Sequence, residues 1–352
     1  MNGKERVRLA VQHKVTDRVP MDYRVKDTVS ETLREYLKLP DIESVLKKLG
    51  VDIRRFGINE LVPSFLERSG GKTLISHPDG TVENVWGVIE KPSADGKYMK
   101  KVTGPFFKND DLDSFNWPSL DCIEPVESIR KKIEMYKDEY SIFAYVNNPF
   151  KSCWLMRGLQ NYLCDTVADE DFAIALWEKA ASYELQKGIN FIKAGGDVIE
   201  VVGDIAMQDR MMVSPSVWRK IDKPRLASMI QIWKSCNPDI IPFFHSDGDM
   251  EEVLPDLIEI GFQIIDPIQP ECMDVEYIKK KYGKDFTLHG TISIQQTLPH
   301  GTLEDVRKET KHRISLAQND GGIIIAPANH VLDDTPLENL LEMYRTAGSY
   351  QG

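Results

Sequence analysis

Hydrophobic positions along the chain follow two patterns. Short apolar runs alternate with longer stretches in which apolar residues return every three or four positions. Ile240-Ile241-Pro242-Phe243-Phe244 is too short for a helix and stops at His245, Asp247, Gly248 and Asp249. It reads as a strand that delivers polar groups at one end. Runs of the same form lie at 17–23, 51–56, 142–146, 197–202, 262–267, 285–289 and 323–327, so eight strands are expected. Helices are expected over 3–14, 28–49 and 125–137. A further helix opens at Asp169-Glu170-Asp171, with Phe172, Leu176, Ala180 and Tyr183 along one core-facing stripe. Ser214-Pro215 starts another, with a break at Pro224, and Thr335-Pro336-Leu337-Glu338 has capping-box spacing before the last. Glycines at 50, 195–196, 261, 283 and 321–322 stand between a helix and the next strand, where a left-handed C′ residue belongs.

Strands separated by helices imply parallel βαβ units, and eight is the number that closes into an α/β (β/α)8 TIM barrel. The competitor is an open doubly wound sheet. No GxGxxG or GxxxxGK loop follows any strand, which favours the barrel. Residues 57–140 interrupt the alternation. There 80–90 and 98–102, with a turn at Ser93-Ala94-Asp95-Gly96, read as a β-hairpin inserted after strand two. The excursion is a lid, a dimer contact or a surface decoration. Residues 1–352 are expected to form one domain, with 57–140 inserted.

Composition narrows the function classes. A chain 41% hydrophobic and 28% charged is that of a soluble globular protein. No window approaches the roughly 18 apolar residues of a membrane span, and the first residues are amphipathic where a signal segment would be apolar. A cytoplasmic location is expected. The net charge is −11 with basic residues interspersed among acids, which argues against nucleic acid and anionic lipid as partners. Cysteines 122, 153, 164, 236 and 272 contain no CxxC pair and suit a reducing compartment.

Parallel strands would bring Tyr23, Arg24, Asn147, Asn148, Glu200, Asp204, His245, Asp247, Asp266, Gln269, His289, Asn329 and His330 to one mouth. Each has a plainer reading: Asp266 before Pro267 can brace a turn, His289 can be a satisfied barrel histidine, and Asp247 can cap a helix. Taken together, Glu200, His245 and Asp247 are a set that zinc accepts, with a fourth position left open. Such a site is hard, built of nitrogen and oxygen. The alternative is a metal-free site in which the same groups bind a polar substrate or act as acid and base.

Phe244-His245-Ser246-Asp247-Gly248, Ile265-Asp266-Pro267-Ile268-Gln269, Gly290-Thr291-Ile292-Ser293-Ile294-Gln295, Leu298-Pro299-His300-Gly301-Thr302 and Ile325-Ala326-Pro327-Ala328-Asn329-His330 resemble the uroporphyrinogen decarboxylase superfamily. The match in order and spacing covers the C-terminal two-thirds of the chain. The resemblance implies a (β/α)8 barrel, a homodimer, and either porphyrinogen decarboxylation or zinc-dependent methyl transfer with corrinoid proteins. The decarboxylase branch carries Met-Arg-Gln-Ala-Gly-Arg after its first strand. Here Pro20-Met21-Asp22-Tyr23-Arg24-Val25-Lys26 lacks the arginine pair that a polyanionic substrate needs. The thiol-methylating branch carries His-x-Cys after strand five and a second cysteine after strand eight. This chain keeps His245 and has Asp247 and Asn329 at the cysteine positions.

The implied function is methyl transfer from a methoxylated small molecule, an aromatic ether, to a corrinoid protein, as in O-demethylation. Zinc would sit on Glu200, His245 and Asp247. His330, Asp266 or Asp204 would serve the leaving oxygen, and Tyr23, Arg24, Asn147, Asn148, Gln269, His289 and Asn329 would bind the donor. No Asp-x-His-x-x-Gly corrinoid segment occurs, so the corrinoid is expected on a partner protein. Metal-free decarboxylation and a non-catalytic tetrapyrrole-binding barrel stand as alternatives.

Overall fold

Seven of the eight expected apolar runs pair side by side in the computed structural model, which describes residues 1–93, 99–103 and 111–349. In chain order the strands are β1 (Ile53–Gly57), β2 (Leu74–Ser76), β3 (Val82–Asn84), β4 (Ile89–Pro92), β5 (Met99–Thr103), β6 (Ser141–Asn147), β7 (Val198–Val202), β8 (Ile241–His245), β9 (Ile264–Asp266), β10 (Thr287–His289) and β11 (Ile323–Ile324). Strand β1 and strands β6 to β11 form one parallel sheet in sequential order. The expected strand at 17–23 is absent as a ladder, because Pro20 has no N–H to give. Its remnant closes the ring all the same. Ile325 N donates to Pro20 O and Asp22 N to Ile325 O, each at 2.9 Å, while Asp52 N, just before β1, donates to Met21 O at 2.9 Å.

A closed ring needs a packed lumen. Ile53, Phe143, Val198, Ile241, Phe243, Ile264 and Ile324 form one apolar cluster with Val7 and Val11 of the N-terminal helix Gly3–Val11. That helix plugs the end where the strands begin, which leaves the end where they finish open for a site.

Several elements differ from expectation for identifiable reasons. The helix expected over 28–49 is two, Asp27–Tyr36 and Ile42–Leu49. They part where Lys38 takes φ 55° and where Asp41, after Pro40, caps Ser44 N at 2.7 Å. Pro224 does not break Pro215–Cys236: Arg225 Nη1 donates to Ile221 O at 2.7 Å and to Lys220 O at 3.4 Å, the latter being the carbonyl that proline cannot serve. Gly283 has φ −67°, so it is no left-handed cap; a Cβ there would lie 2.3 Å from Lys279 O. Helices Pro149–Arg157 and Leu159–Ala168, unforeseen from the pattern, precede Glu170–Ala194.

Between β1 and β6, where one hairpin was expected, β2 to β5 form a four-stranded antiparallel sheet. Asn84 Oδ1 accepts from Trp86 N and Val88 N, and this turn divides the expected first arm into β3 and β4. The expected turn at 93–96 lies outside the described residues beyond Ser93. No described helix is long and apolar enough to cross a membrane.

One buried carboxyl outside the barrel makes stability depend on pH. Asp222, 1% exposed, accepts a hydrogen bond from Trp177 Nε1 at 2.9 Å. Burial pushes its carboxyl up to about 7, against the pull of Trp177 and Arg225. An unfolded aspartate ionises near about 4. Between these values the folded state holds the extra proton, so stability falls as pH rises through the window and levels off above it. Asp222→Asn keeps an acceptor for Trp177 and has no charge to bury. Urea denaturation is expected to show this variant gaining roughly 2–4 kcal/mol on the parent between about pH 4 and about pH 7, with no further gain above. A pH-independent offset would contradict this account.

Candidate active site

Strand register assembles the floor of the mouth. His245 lies opposite Asp266, and Leu288 opposite Ile265, which brings His289 level with Asp266. Asp266 Oδ2 meets His245 Nδ1 and its Oδ1 meets His289 Nδ1, both at 2.5 Å, and Arg24 Nη2 lies 3.1 Å away. From there the partners alternate in sign. Arg24 also reaches Glu200 (3.2 Å), Arg55 bridges Glu200 (2.7 Å) and Asp22 (2.8 Å), and Asp22 meets His289 Nε2 at 3.0 Å. Asp266, Arg24, Glu200, Arg55, Asp22 and His289 thus form a closed ring of three carboxylates and three cations. Beneath it lie two aromatic rings of the lumen, with Arg55 5.4 Å above Phe143 and Arg24 5.6 Å above Phe243.

The ring fixes protonation. Burial alone would raise Asp266 and Asp22, yet Arg24 and His289 on the one, and Arg55 and His289 on the other, hold both well below the usual carboxylate range. Burial would lower His289, but Asp266 and Asp22 raise it, and a carboxylate at each nitrogen requires the imidazolium. With Nδ1 committed to Asp266, His245 has Nε2 left for other partners.

Asp204 and Asp247 stand nearby: one ligand atom from each of Asp204, His245 and Asp247 lies within 4.8 Å of the others. Asp247 N donates to Asp204 Oδ1 at 3.0 Å, and Asn329 Nδ2 donates to Asp247 Oδ2. Asp247 Oδ1 is buried without a hydrogen-bond partner. Burial, then Asp204 and Asp266, push the Asp247 carboxyl up to about 6 despite His245 nearby. Gly248, at φ 91°, lets the loop pass Met207, whose carbonyl oxygen would be 2.2 Å from any Cβ.

Above this group opens a cavity of about 880 Å³. Of the expected site residues, Asp204, Asp247, Gln269, Asn329 and His330 line it. His330 stands on the rim; desolvation in the concave mouth, and then the charges of Arg24, Arg55 and His245, push its imidazole down to about 4. Its Nδ1 lies 3.1 Å from Asn329 Oδ1 and donates to it, which leaves Nε2 as an acceptor.

Other expectations meet a different geometry. Glu200 is absent from the cluster with His245 and Asp247, because Arg24 and Arg55 hold its carboxylate; Asp204 takes that place. Asp266, Arg24 and His289 are consumed by the ring, at 0%, 5% and 0% exposure, and none lines the cavity. Asn147 bonds to Glu184, Asn148 caps Pro149–Arg157 and donates to Gly203 O, and the Tyr23 hydroxyl donates to Ser30 Oγ. Asn147 and Tyr23 border two other hollows, the second of which shares His330 with this cavity. Asp22 and Arg55 were missed; their signal was a charged residue inside a short run that otherwise reads as strand.

A family model described as uroporphyrinogen decarboxylase (URO-D) matches residues 94–350, well over half of the chain. The chain belongs to the uroporphyrinogen decarboxylase family. Within reach of this family lies the methylated-thiol--coenzyme M methyltransferase of Methanosarcina mazei, 26% identical over 252 residues. The alignment covers 68% of this chain and 62% of that relative, so the chain spans less than two thirds of the relative's length. A solved structure of a methyltransferase from Methanosarcina mazei superposes with a TM-score of 0.70 at 17% identity over 100% of both chains, which shows the shared fold.

The family's mouth in this chain has a floor whose charges depend on one another. Asp266→Asn leaves His289 and Arg24 short of an anion and is expected to cost about 3–5 kcal/mol of stability. Asn329→Ala, in the lining, is expected to cost under about 1 kcal/mol. Chemical denaturation of the two variants checks the difference, and equal losses would mean that the ring is not what holds the floor.

Proposed function

We propose that this chain transfers a methyl group from a methoxylated small molecule to the corrinoid of a separate protein, with a zinc ion at Asp204, His245 and Asp247. The observation that carries the reading is the cluster itself: an imidazole oriented by a carboxylate, two further carboxylates, and one carboxylate oxygen buried without a partner. A cation offsets the burial, and then the repulsion from Asp204, that raise Asp247, and a nitrogen and two oxygens are donors that zinc accepts. When bound there, zinc supplies a Lewis acid that makes an ether oxygen a better leaving group.

The chain's own residues do the rest. Asp266 fixes the tautomer and direction of His245. Asn329 orients Asp247, and His330 Nε2 accepts a hydrogen bond from a donor hydroxyl. The C–O bond breaks with its electron pair left on oxygen, and the methyl carbon joins the reduced cobalt of the partner. The departing oxygen takes its proton from water, since the Asp266 carboxylate is sealed in the floor.

Two residues separate this donor from the methylated thiol for which the Methanosarcina mazei relative is named. Asp247 and Asn329, standing where the thiol-methylating branch has cysteines, touch each other across the mouth, so the site offers oxygen donors in place of thiolates. A polyanionic porphyrinogen is disfavoured, because Arg24 and Arg55 are spent on Asp22, Glu200 and Asp266.

The test combines the full chain with methoxylated donors and a reduced corrinoid protein and follows methyl-cobalt formation by absorbance. Stoichiometric zinc is expected, and Asp247→Ala or His245→Ala should lower both zinc affinity and rate by about 100-fold or more. A metal-free protein that consumes uroporphyrinogen would overturn the proposal.

A further inference from the structure

The cavity's charge is unevenly distributed between its lining and its floor. Asp204, Asp247 and Asp334 line it, and Lys26 is the sole lysine or arginine among the described lining residues. Lys26 Nζ lies 2.7 Å from the carboxylate of Asp333, outside the lining. Two guanidiniums lie in the floor, both ion-paired: Arg24 on Glu200 and Asp266, with its Nε 3.8 Å from Asp22, and Arg55, which borders the neighbouring hollow, between Asp22 and Glu200. A donor bearing a carboxylate would therefore add negative charge to a mouth that already has an excess of it. A zinc ion on the cluster would balance the acids without leaving a cation for a remote carboxylate.

A cationic donor is not favoured either. Quaternary ammonium groups are bound by aromatic faces. No Phe, Tyr or Trp appears among the described lining residues, and Trp86, Trp117 and Tyr183 pack against one another elsewhere, with Trp86 and Tyr183 4.7 Å apart. The lining instead offers the amides of Gln208 and Gln295 beside the apolar surfaces of Met207, Ile294, Pro299 and Leu332. Amides exchange hydrogen bonds with hydroxyls, and apolar walls take an uncharged ring.

We infer that the site selects an uncharged, hydroxyl-bearing methyl ether and rejects the same compound carrying a carboxylate. This rests on the methyl-transfer reading above and narrows its donor. Isothermal titration of the full chain, with and without zinc, compares guaiacol, vanillate (guaiacol bearing one carboxylate) and tetramethylammonium. Guaiacol is expected to bind at least about tenfold more tightly than either ion. Gln295→Arg places a cation on the wall and is expected to tighten vanillate by about tenfold, with the thermal unfolding midpoint of the same variant reporting its folding. Vanillate or tetramethylammonium binding the parent as tightly as guaiacol overturns the selection for neutral donors and leaves methyl-ether transfer standing. Failure of guaiacol and vanillate alike to bind overturns both.

Discussion

The carboxylate of Asp266 is fully buried, and it stays charged because His245, His289 and Arg24 all face it. An ion removed from water in this way costs several kcal/mol unless every lone pair finds a partner. Each partner brings the same demand. Arg24 needs a second anion and finds Glu200; Glu200 needs a second cation and finds Arg55; Arg55 needs Asp22, and Asp22 shares His289 with Asp266. The demand ends only because the ring closes. Its members come from β1, β7, β9, β10 and the segment that bridges β11 to β1, so the charge pattern also ties the sheet's two edges together.

A floor of this kind gives the site its geometry. Ring members with two partners each cannot turn without exposing a buried charge, which is how preorganisation arises from burial. His245 is the side chain that leaves the ring, fixed at Nδ1 and open at Nε2. The lumen below is filled by Phe143 and Phe243, whose faces carry the two guanidiniums, so the packed core sets the height at which the chemistry begins.

What was legible in the sequence follows from what is local. His245, Asp266 and His289 each end an apolar run, and their place at the C-terminal ends of β8, β9 and β10 can be read from that alone. Their pairing cannot, since it depends on register between strands and on Arg24, Arg55 and Asp22. Asp22 and Arg55 lie in runs broken by charge and look like edge positions until the ring closes over them. Glu200 and Asp204 illustrate the limit. Glu200 lies within β7 and Asp204 two residues past its end, and the two guanidiniums hold Glu200 in the ring while Asp204 joins His245 and Asp247. The eighth strand was misjudged for a local reason, Pro20, whose effect on pairing is readable. The turn at Asn84 that divides one expected arm into β3 and β4 was also readable, from an asparagine and a glycine three residues apart.

The charge balance of the ring carries one more consequence for the mouth. Three carboxylates against Arg24, Arg55 and the imidazolium of His289 sum to zero, so the floor projects little net field upward. Asp204 and Asp247 lie above that neutral layer, and nothing in it cancels their charge. At an effective dielectric constant of about 20, a unit charge about 4 Å away is worth about 4 kcal/mol, which a surplus arginine in the floor would subtract from any cation bound above. A neutral floor therefore allows two aspartates and one histidine to make a cation site. Spending both guanidiniums there also keeps them from the substrate, so the same ring that orients His245 leaves Lys26 as the sole lysine or arginine among the described residues of the cavity wall.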